Sequence, residues 1–350
     1  MPSNARLAEF GIGATAVPVA EPCGRLSPVS PAAALSAEFR QAWDALALCA
    51  SEPNPFFESW FLCPALRHLD PQSTVRLMAF EVQGRLAGIL PLHRRTSYYG
   101  YPLPHLAGWT HPNAFLGAPL VAKGHERSFW DAVLAWCDDH ARTALFLHLN
   151  DVPLDGPVTR ALLDVAADQH RVAAIVHRAE RAALYRDAAG AMPADLALST
   201  KERGELRRKT ARLGDQGTIA FGLNEAHPTD IGQWIDAFLA LESAGWKGQA
   251  GSALASRPDT AALFREALVG AAEHGRLARL SLTLNGKPIA MMANFLTAPG
   301  AYGFKSAYDE THARHSPGLL LLQAATASAA AGQLAWFDSC TTPGQGAVDR

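Results

Sequence analysis

The segment 301–331 combines residue types that could bind an anion. Aromatic and small residues at 302–308 predict a buried strand, and the Leu/Ala-rich run 319–331 predicts a helix. Between them, Ser316-Pro317-Gly318 is typical of a helix start, with Ser316 as the N-cap. A helix start presents free N–H groups and the positive end of the helix dipole, so the segment predicts a phosphate or pyrophosphate site. The alternative is a helix cap that binds no ligand.

A lysine stands inside the predicted strand. A charged side chain in a buried strand is costly unless it is paired, so Lys305 could hold a phosphate or carboxylate, or polarise a carbonyl. The alternative is an ion pair with Asp309, Glu310 or Asp338. Asp309 and Asp338 could also bind an amine or orient Lys305.

Histidines occur at two places where they could contact a ligand. His312 and His315 are three residues apart with Asp309 nearby, but no third strong ligand follows, so we expect no metal site. Cys340 could be a nucleophile, although no histidine is near it in sequence. Three further histidines lie among aromatic residues and could line a substrate cleft or pack there: His93, His105 and His111.

The most basic stretch of the chain lies between residues 196 and 213 and predicts a helix. It is either a solvated helix that joins two domains or a surface that contacts phosphates. Its cationic residues are Lys201, Arg203, Arg207, Arg208, Lys209 and Arg212.

Composition indicates a globular protein. The 350 residues are 49% hydrophobic and 18% charged, which suits two domains of ordinary size, and residues 1–31 read as a loose leader. The net charge of -2 gives no general argument for DNA or anionic membranes. No Cys-x-x-Cys spacing, signal peptide or apolar run of spanning length occurs, so we expect a cytoplasmic protein with no membrane span.

Two predicted hairpins repeat at a constant offset of 202 residues. Residues 82–89 (VQGRLAGI) align without a gap to residues 284–291 (LNGKPIAM), and two predicted helices precede each hairpin. The shared order suggests two copies of one α/β unit, with the boundary near the basic stretch. We place the units at 32–195 and 196–350, the second one truncated at its C-terminus.

The order of elements resembles the GNAT acyltransferase fold, and the tandem arrangement resembles Fem-type aminoacyl transferases. The motifs are most similar to the GNAT-like acetyltransferase family associated with bacterial cellulose and exopolysaccharide biosynthesis. They lie at 206–213 (LRRKTARL), 241–248 (LESAGWKG), 305–310 (KSAYDE) and 316–318 (SPG), with a looser match in the first half. The resemblance implies an α/β (α+β) fold of tandem GNAT-like units, with mixed, mostly antiparallel sheets flanked by helices.

The resemblance also implies a transferase that moves an acyl group, acetyl from acetyl-CoA, to an amine or hydroxyl of a small molecule or saccharide precursor. Lys305, Glu242, Asp309 and Asp338 would be its catalytic residues, with Glu242 as the base or else a solvated carboxylate. His315, Ser316 and Gly318 would hold the pyrophosphate, and Trp246, Lys247 and Tyr308 would contact the substrate.

Two alternatives stay open. A Fem-like aminoacyl transferase would use charged tRNA, which the tandem units and the basic helix favour. A catalytically degenerate accessory protein in polysaccharide assembly is favoured by the single glycine of the phosphate loop and by the short C-terminal end.

Overall fold

The computed structural model describes residues 24–186, 199–223, 231–331 and 334–341. The first sheet contains β1 (Arg25–Val29), β2 (Arg76–Val82), β3 (Arg85–Arg95), β4 (His105–Gly108), β5 (Leu120–Val121) and β6 (Leu147–His148). Its order is β1-β2-β3-β4-β6, with β5 also paired to β3. The helices around it are α1 (Pro31–Ala34), α2 (Ala37–Cys49), α3 (Ser59–Leu69), α4 (Glu126–His140) and α5 (Pro157–Asp168).

The second sheet contains β7 (Ala183–Tyr185), β8 (Ile219–Leu223), β9 (Leu277–Leu284), β10 (Lys287–Thr297), β11 (Gly300–Tyr308) and β12 (Trp336–Asp338), in the order β7-β12-β11-β10-β9-β8. Its helices are α6 (Thr200–Gly214), α7 (Ile231–Ala244), α8 (Trp246–Gln249), α9 (Pro258–Glu273) and α10 (Pro317–Ala331). The predicted class of two mixed, mostly antiparallel sheets flanked by helices is confirmed.

The two central hairpins have the same geometry. The strand after each turn begins and ends 202 residues apart in the two units, at Arg85–Arg95 and Lys287–Thr297. Gln83-Gly84 and Asn285-Gly286 all have positive φ, between 50° and 78°. Two successive left-handed residues make the turn that suits the twist of paired strands, which explains why each turn ends in glycine. The repeated hairpin predicted from the sequence is therefore a repeated structural unit.

Each unit also contains one parallel strand pair, β4–β6 in the first and β11–β12 in the second. A helix connects the two strands in each case, α4 or α10. Pairing of β11 with β12 ends at Tyr302 and Asp338, whereas β11 continues to Tyr308. The last six residues of β11 therefore leave one edge without a partner strand among the described residues, and Lys305 lies in this part.

Two segments lie differently from the prediction. Arg25–Val29 belong to the expected loose leader but form the edge strand β1, where Pro28 is tolerated because an edge strand leaves one row of N–H positions unpaired. The rest of that leader, residues 1–23, lies outside the described residues. β7 precedes the proposed boundary yet pairs with β12 in the second sheet. The boundary at 195–196 and the tail after residue 341 also lie outside the described part.

The two units meet through α3 and α9 and through a shared aromatic cluster. Phe61 of α3 packs edge-on against Phe295 and Phe304, with ring centroids 5.8 and 5.7 Å apart. At the crossing of the helices, a Cβ on Gly270 would lie only 2.9 Å from Trp60 Cβ and 3.3 Å from its carbonyl oxygen. Glycine is therefore what allows α9 to approach α3 this closely.

We expect Gly270→Ala to lower the free energy of unfolding by at least about 1 kcal/mol, because the added methyl overpacks the α3–α9 contact. Gly204→Ala is the matched control, since Gly204 lies inside α6 with open space around it. There alanine should raise stability by up to about 1 kcal/mol through helix propensity. Urea denaturation of both variants measures this; a Gly270→Ala protein as stable as the wild type would contradict the close crossing.

Candidate active site

Lys305 is a partly buried residue whose ammonium group has no polar partner among the described residues. Its Nζ lies 5.0 Å from the centroid of the Phe115 ring, which belongs to the first unit, and 5.6 Å from that of Phe304. The pKa of Lys305 is lowered from 10.5 to about 8, mainly by burial and then by the charge of Lys247, while the charge of Glu242 acts in the opposite direction. A buried lysine that is poorly compensated is a candidate for a functional role.

The ion pairs considered for Lys305 are not formed. Asp309 accepts hydrogen bonds from the backbone N–H and hydroxyl of Thr311, as the cap of the short helix Glu310–His315, and these bonds contribute to its lowered pKa. Glu310 accepts from the N–H of Trp246 at 2.6 Å. Asp338 pairs with Arg181 at 2.8 Å and accepts from the N–H of Cys340.

Glu242 and Lys247 form an ion pair next to β11. Lys247 Nζ lies 2.9 Å from Glu242 Oε1 and also donates to the carbonyl of Ser306, the neighbour of Lys305. Glu242 Oε2 accepts from the N–H of Leu254 at 2.7 Å. Glu242 is only 4% exposed, so the alternative that it is a solvated carboxylate is wrong. Trp246, in contrast, leaves 54% of its surface exposed beside this pair.

The first unit supplies the opposite wall of the site. His111 is partly buried, its Nε2 is inaccessible to solvent and has no hydrogen-bond partner among the described residues, and its ring stacks on Phe61 at 5.9 Å. Burial lowers the pKa of His111 to about 3, and the charge of Lys305 adds to this effect. The imidazole is therefore neutral and lies within the electrostatic reach of Lys305.

Sequence reasoning noted His111 only as one histidine among aromatic residues, and it missed Phe115 and Arg181. No local signal marks these residues, because their role depends on how the two units pack. Arg181 joins the units by bonding to the carbonyl of Phe115 and to Asp338. Cys340 is partly buried, and burial raises the pKa of its thiol, which makes a thiolate nucleophile there unfavourable.

The start of α10 lies at the far end of β11. Ser316 precedes it in the left-handed conformation, at φ 54°, and its hydroxyl accepts from Lys209 Nζ of α6 at 3.0 Å. Ser316 has the N-cap position, because its carbonyl accepts from the N–H of Leu320, but its hydroxyl binds Lys209 and makes no bond to a first-turn N–H among the described residues. Pro317 has no N–H, and the N–H groups of Gly318 and Leu319 find no acceptor among the described residues.

Cationic groups surround this helix start. His315 Nε2 accepts from Arg314 Nε at 3.0 Å and lies 2.9 Å from Gln216 Nε2, while burial and the charge of Arg314 lower the pKa of His315. Tyr308 lies beside Gly318, with its ring 3.7 Å from where a Cβ would stand. Tyr308 is three residues after Lys305, about 10 Å along the backbone of β11, and this odd separation places the two side chains on opposite faces of the sheet.

The predicted residues thus fall into two neighbouring groups. Lys305, Glu242, Lys247 and Trp246 lie at the middle of β11, and Tyr308, His315, Ser316 and Gly318 lie at its end; Asp309 and Asp338 make local contacts of their own. Within the described residues, no cluster of three or more His, Cys, Asp or Glu side chains has a metal-binding arrangement. None of the helices described is long and apolar enough to cross a membrane.

Comparison with known proteins agrees with this geometry. Residues 200–346 match the family described as acetyltransferase (GNAT) domain. The fold is similar to a crystal structure of FemX, with a TM-score of 0.51 and 9% identity over 92% of this chain and 90% of that one. It is also similar to the C-terminal domain (DUF2156) of a putative lysylphosphatidylglycerol synthetase from Agrobacterium fabrum, with a TM-score of 0.51 and 12% identity over 89% and 78% of the two chains. No curated protein matches the sequence.

We expect Lys305→Met to raise the free energy of unfolding at pH 7 by about 1–3 kcal/mol, because it removes a buried charge. The pKa of Lys305 is about 8 in the folded protein and 10.5 in the unfolded chain. Between pH 8 and 10.5 the unfolded chain therefore binds more protons than the folded protein. Wild-type stability should therefore rise toward the variant's between pH 8 and 10.5. Urea denaturation across this range tests it, with exposed Lys287→Met as the control; an equal or larger gap at pH 10 would contradict the lowered pKa.

Proposed function

We propose that this protein is an acyltransferase that moves an acyl group, acetyl from acetyl-CoA, to an amine or hydroxyl of a small molecule or saccharide precursor. The observation that carries the proposal is Lys305, a partly buried ammonium group with no polar partner among the described residues, on the strand that ends at an anion-suited helix start. The match of residues 200–346 to the acetyltransferase (GNAT) domain supports the class of reaction.

The donor binds to the second unit in this proposal. The N–H groups of Gly318 and Leu319 suit the pyrophosphate oxygens, with His315, Ser316 and the ammonium of Lys209 beside them. The corresponding helix of the first unit is different. There the N–H of Gly124 donates to both carboxylate oxygens of Glu126, at 3.1 and 3.0 Å, so the protein's own anion already lies at the start of α4.

Lys305 stabilises the charge that develops during transfer. The acceptor nitrogen or oxygen attacks the thioester carbon, and the carbonyl electron pair moves to oxygen, where the Lys305 ammonium donates a hydrogen bond to the oxyanion. When the intermediate collapses, the carbon–sulfur bond breaks and the thiolate leaves. The proton of the acceptor passes to Glu242, whose charge acts on Lys305 and which holds Lys247 in place.

The acceptor lies between the units in this scheme. Exposed Trp246, the ammonium of Lys247 and the hydroxyl of Tyr308 offer contacts from the second unit. His111 Nδ1 accepts from the N–H of Asn113, so the neutral ring carries its proton on Nε2, which offers a free hydrogen-bond donor from the first unit. Asp309 orients the loop before α10, and Asp338 acts through Arg181, which connects β12 to the first unit.

Calorimetric titration with acetyl-CoA is the direct test of the donor. We expect binding to the wild type and a loss of about tenfold or more in affinity for Lys209→Gln and Gly318→Val, because each removes a contact to the pyrophosphate or blocks its approach. Lys201→Gln is the matched control, since Lys201 is exposed at the other end of α6. Absence of acetyl-CoA binding by the wild type would contradict the proposal.

The pH dependence of turnover tests the role of Lys305. Because only the protonated amine stabilises an oxyanion, kcat should fall as the pH rises past about 8, the pKa of Lys305. Lys305→Met should lower kcat by about 10²–10³-fold, with a smaller effect on KM. Lys287→Met should behave as the wild type. A kcat that rises through pH 8 would instead mean that Lys305 acts as a base.

A second candidate is transfer from aminoacyl-tRNA. The observation that favours it is the exposed cationic side of α6. Arg207 and Arg208 lie there, next to Lys209, which contacts Ser316 at the start of α10. If acetyl-CoA does not bind, tRNA binding that weakens steeply with salt and with Arg207→Gln/Arg208→Gln would favour this donor. Failure of both donors would favour a non-catalytic accessory role.

A further inference from the structure

A cleft of about 310 Å³ opens in the first unit, away from the residues assigned to acyl transfer. Side chains of β3, β4 and β6, and of the loop between β3 and β4, line it. Its volume lies at the lower end of the range for small-molecule sites.

The register of the sheet brings the polar residues of the cleft to one face. Arg95 is directly opposite His105, His93 is opposite Ala107, and Ala107 is paired with His148 across the parallel strands. Residues opposite each other, and alternate residues along a strand, lie on the same face of a sheet. Arg95, His93, His105 and His148 therefore project into the same space.

The cleft has a positive charge and no negative one. Arg95 makes no hydrogen bond or ion pair with the described residues, and no carboxylate is among the lining residues. Burial, and then the charge of Arg95, lowers the pKa of His93 to about 4, while burial lowers that of His148. Both imidazoles are therefore neutral hydrogen-bonding groups at neutral pH, and the guanidinium sets the sign of the field.

An aromatic turn forms one side of the cleft. Tyr98 packs edge-on against His105 and His148, with ring centroids 5.3 and 5.2 Å away. The turn between Tyr98 and Tyr101 places Tyr99 in the left-handed conformation and leaves 76% of Tyr99 exposed. A large exposed ring next to an unpaired guanidinium suits a ligand that carries both a planar group and an anion.

We propose that this cleft is a second binding site, for a small organic anion whose carboxylate or phosphate pairs with Arg95 and whose planar group packs on Tyr99. The proposal does not depend on acyl transfer, because none of these residues belongs to the site at β11 and α10.

The test is titration of the full chain with phenyl phosphate and with benzoate, followed by NMR or calorimetry. We expect at least one of them to bind, and Arg95→Gln to weaken binding about tenfold or more through the lost charge-assisted hydrogen bonds. Tyr99→Asn, which suits a left-handed backbone but lacks the ring, should weaken the aryl anions more than inorganic phosphate. Arg85→Gln, at the other exposed end of β3, is the matched control and should bind like the wild type.

Several results would overturn the proposal. The proposal is wrong if neither aryl anion binds the wild type. It is also wrong if neutral benzamide binds as tightly as benzoate. Equal binding by Arg95→Gln and the wild type would remove the assigned anion contact. Phenyl phosphate binding that is lost in Lys209→Gln but kept in Arg95→Gln would place the anion at the start of α10, and would leave the acyl-donor proposal standing.

Discussion

The burial of one positive charge between two halves of the chain is the constraint on which the site depends. Removing an ammonium group from water is costly, and Lys305, which is partly buried, receives no carboxylate or carbonyl in return from the described residues. It lies instead against Phe115 and Phe304, one ring from each unit. Cation–π contacts of this kind recover only about 2 kcal/mol, so the packing of the units has to hold the lysine in place.

That packing is supplied by helices and aromatic rings, and ion pairs between the units such as Arg67–Glu266 and Arg181–Asp338 add to it. Phe61 contacts His111 of the first unit, and it also contacts Phe295 and Phe304 of the second. Gly270 allows α9 to come close to α3. The strand β7 adds a further connection, because it follows the first unit in sequence and forms backbone hydrogen bonds with β12 in the second sheet. The two units therefore share both a core and a sheet edge.

Much of the fold could be predicted because its signals are local. The Gln83-Gly84 and Asn285-Gly286 turns need left-handed residues, and the constant offset between them indicates the duplication from the amino-acid sequence alone. Lys305 was noticeable because a lysine is rare inside an apolar strand. The partner of the Ser316 hydroxyl was predicted wrongly. The sequence allows this hydroxyl either to cap α10 or to accept a hydrogen bond from α6, and only the position of Lys209 in the fold decides between the two. The contacts of His111, Phe115 and β7 connect residues more than 140 positions apart, so no local pattern contains them.

The duplication also allows the corresponding helix starts of the two units to differ. The start of α10 in the second unit suits an anion, whereas the start of α4 in the first unit carries its own carboxylate. Both units connect their parallel strands through a helix. The carboxylate of Glu126 lies at the start of α4, whereas Gly318 and the neighbouring Lys209 lie at the start of α10. The carboxylate of Glu126 interacts favourably with the positive end of the dipole of α4 and accepts from the N–H of Gly124, which precedes the helix, so the first unit gains stability there. The N–H groups of Gly318 and Leu319 have no acceptor among the described residues, and in the proposed function the pyrophosphate of the donor would supply it.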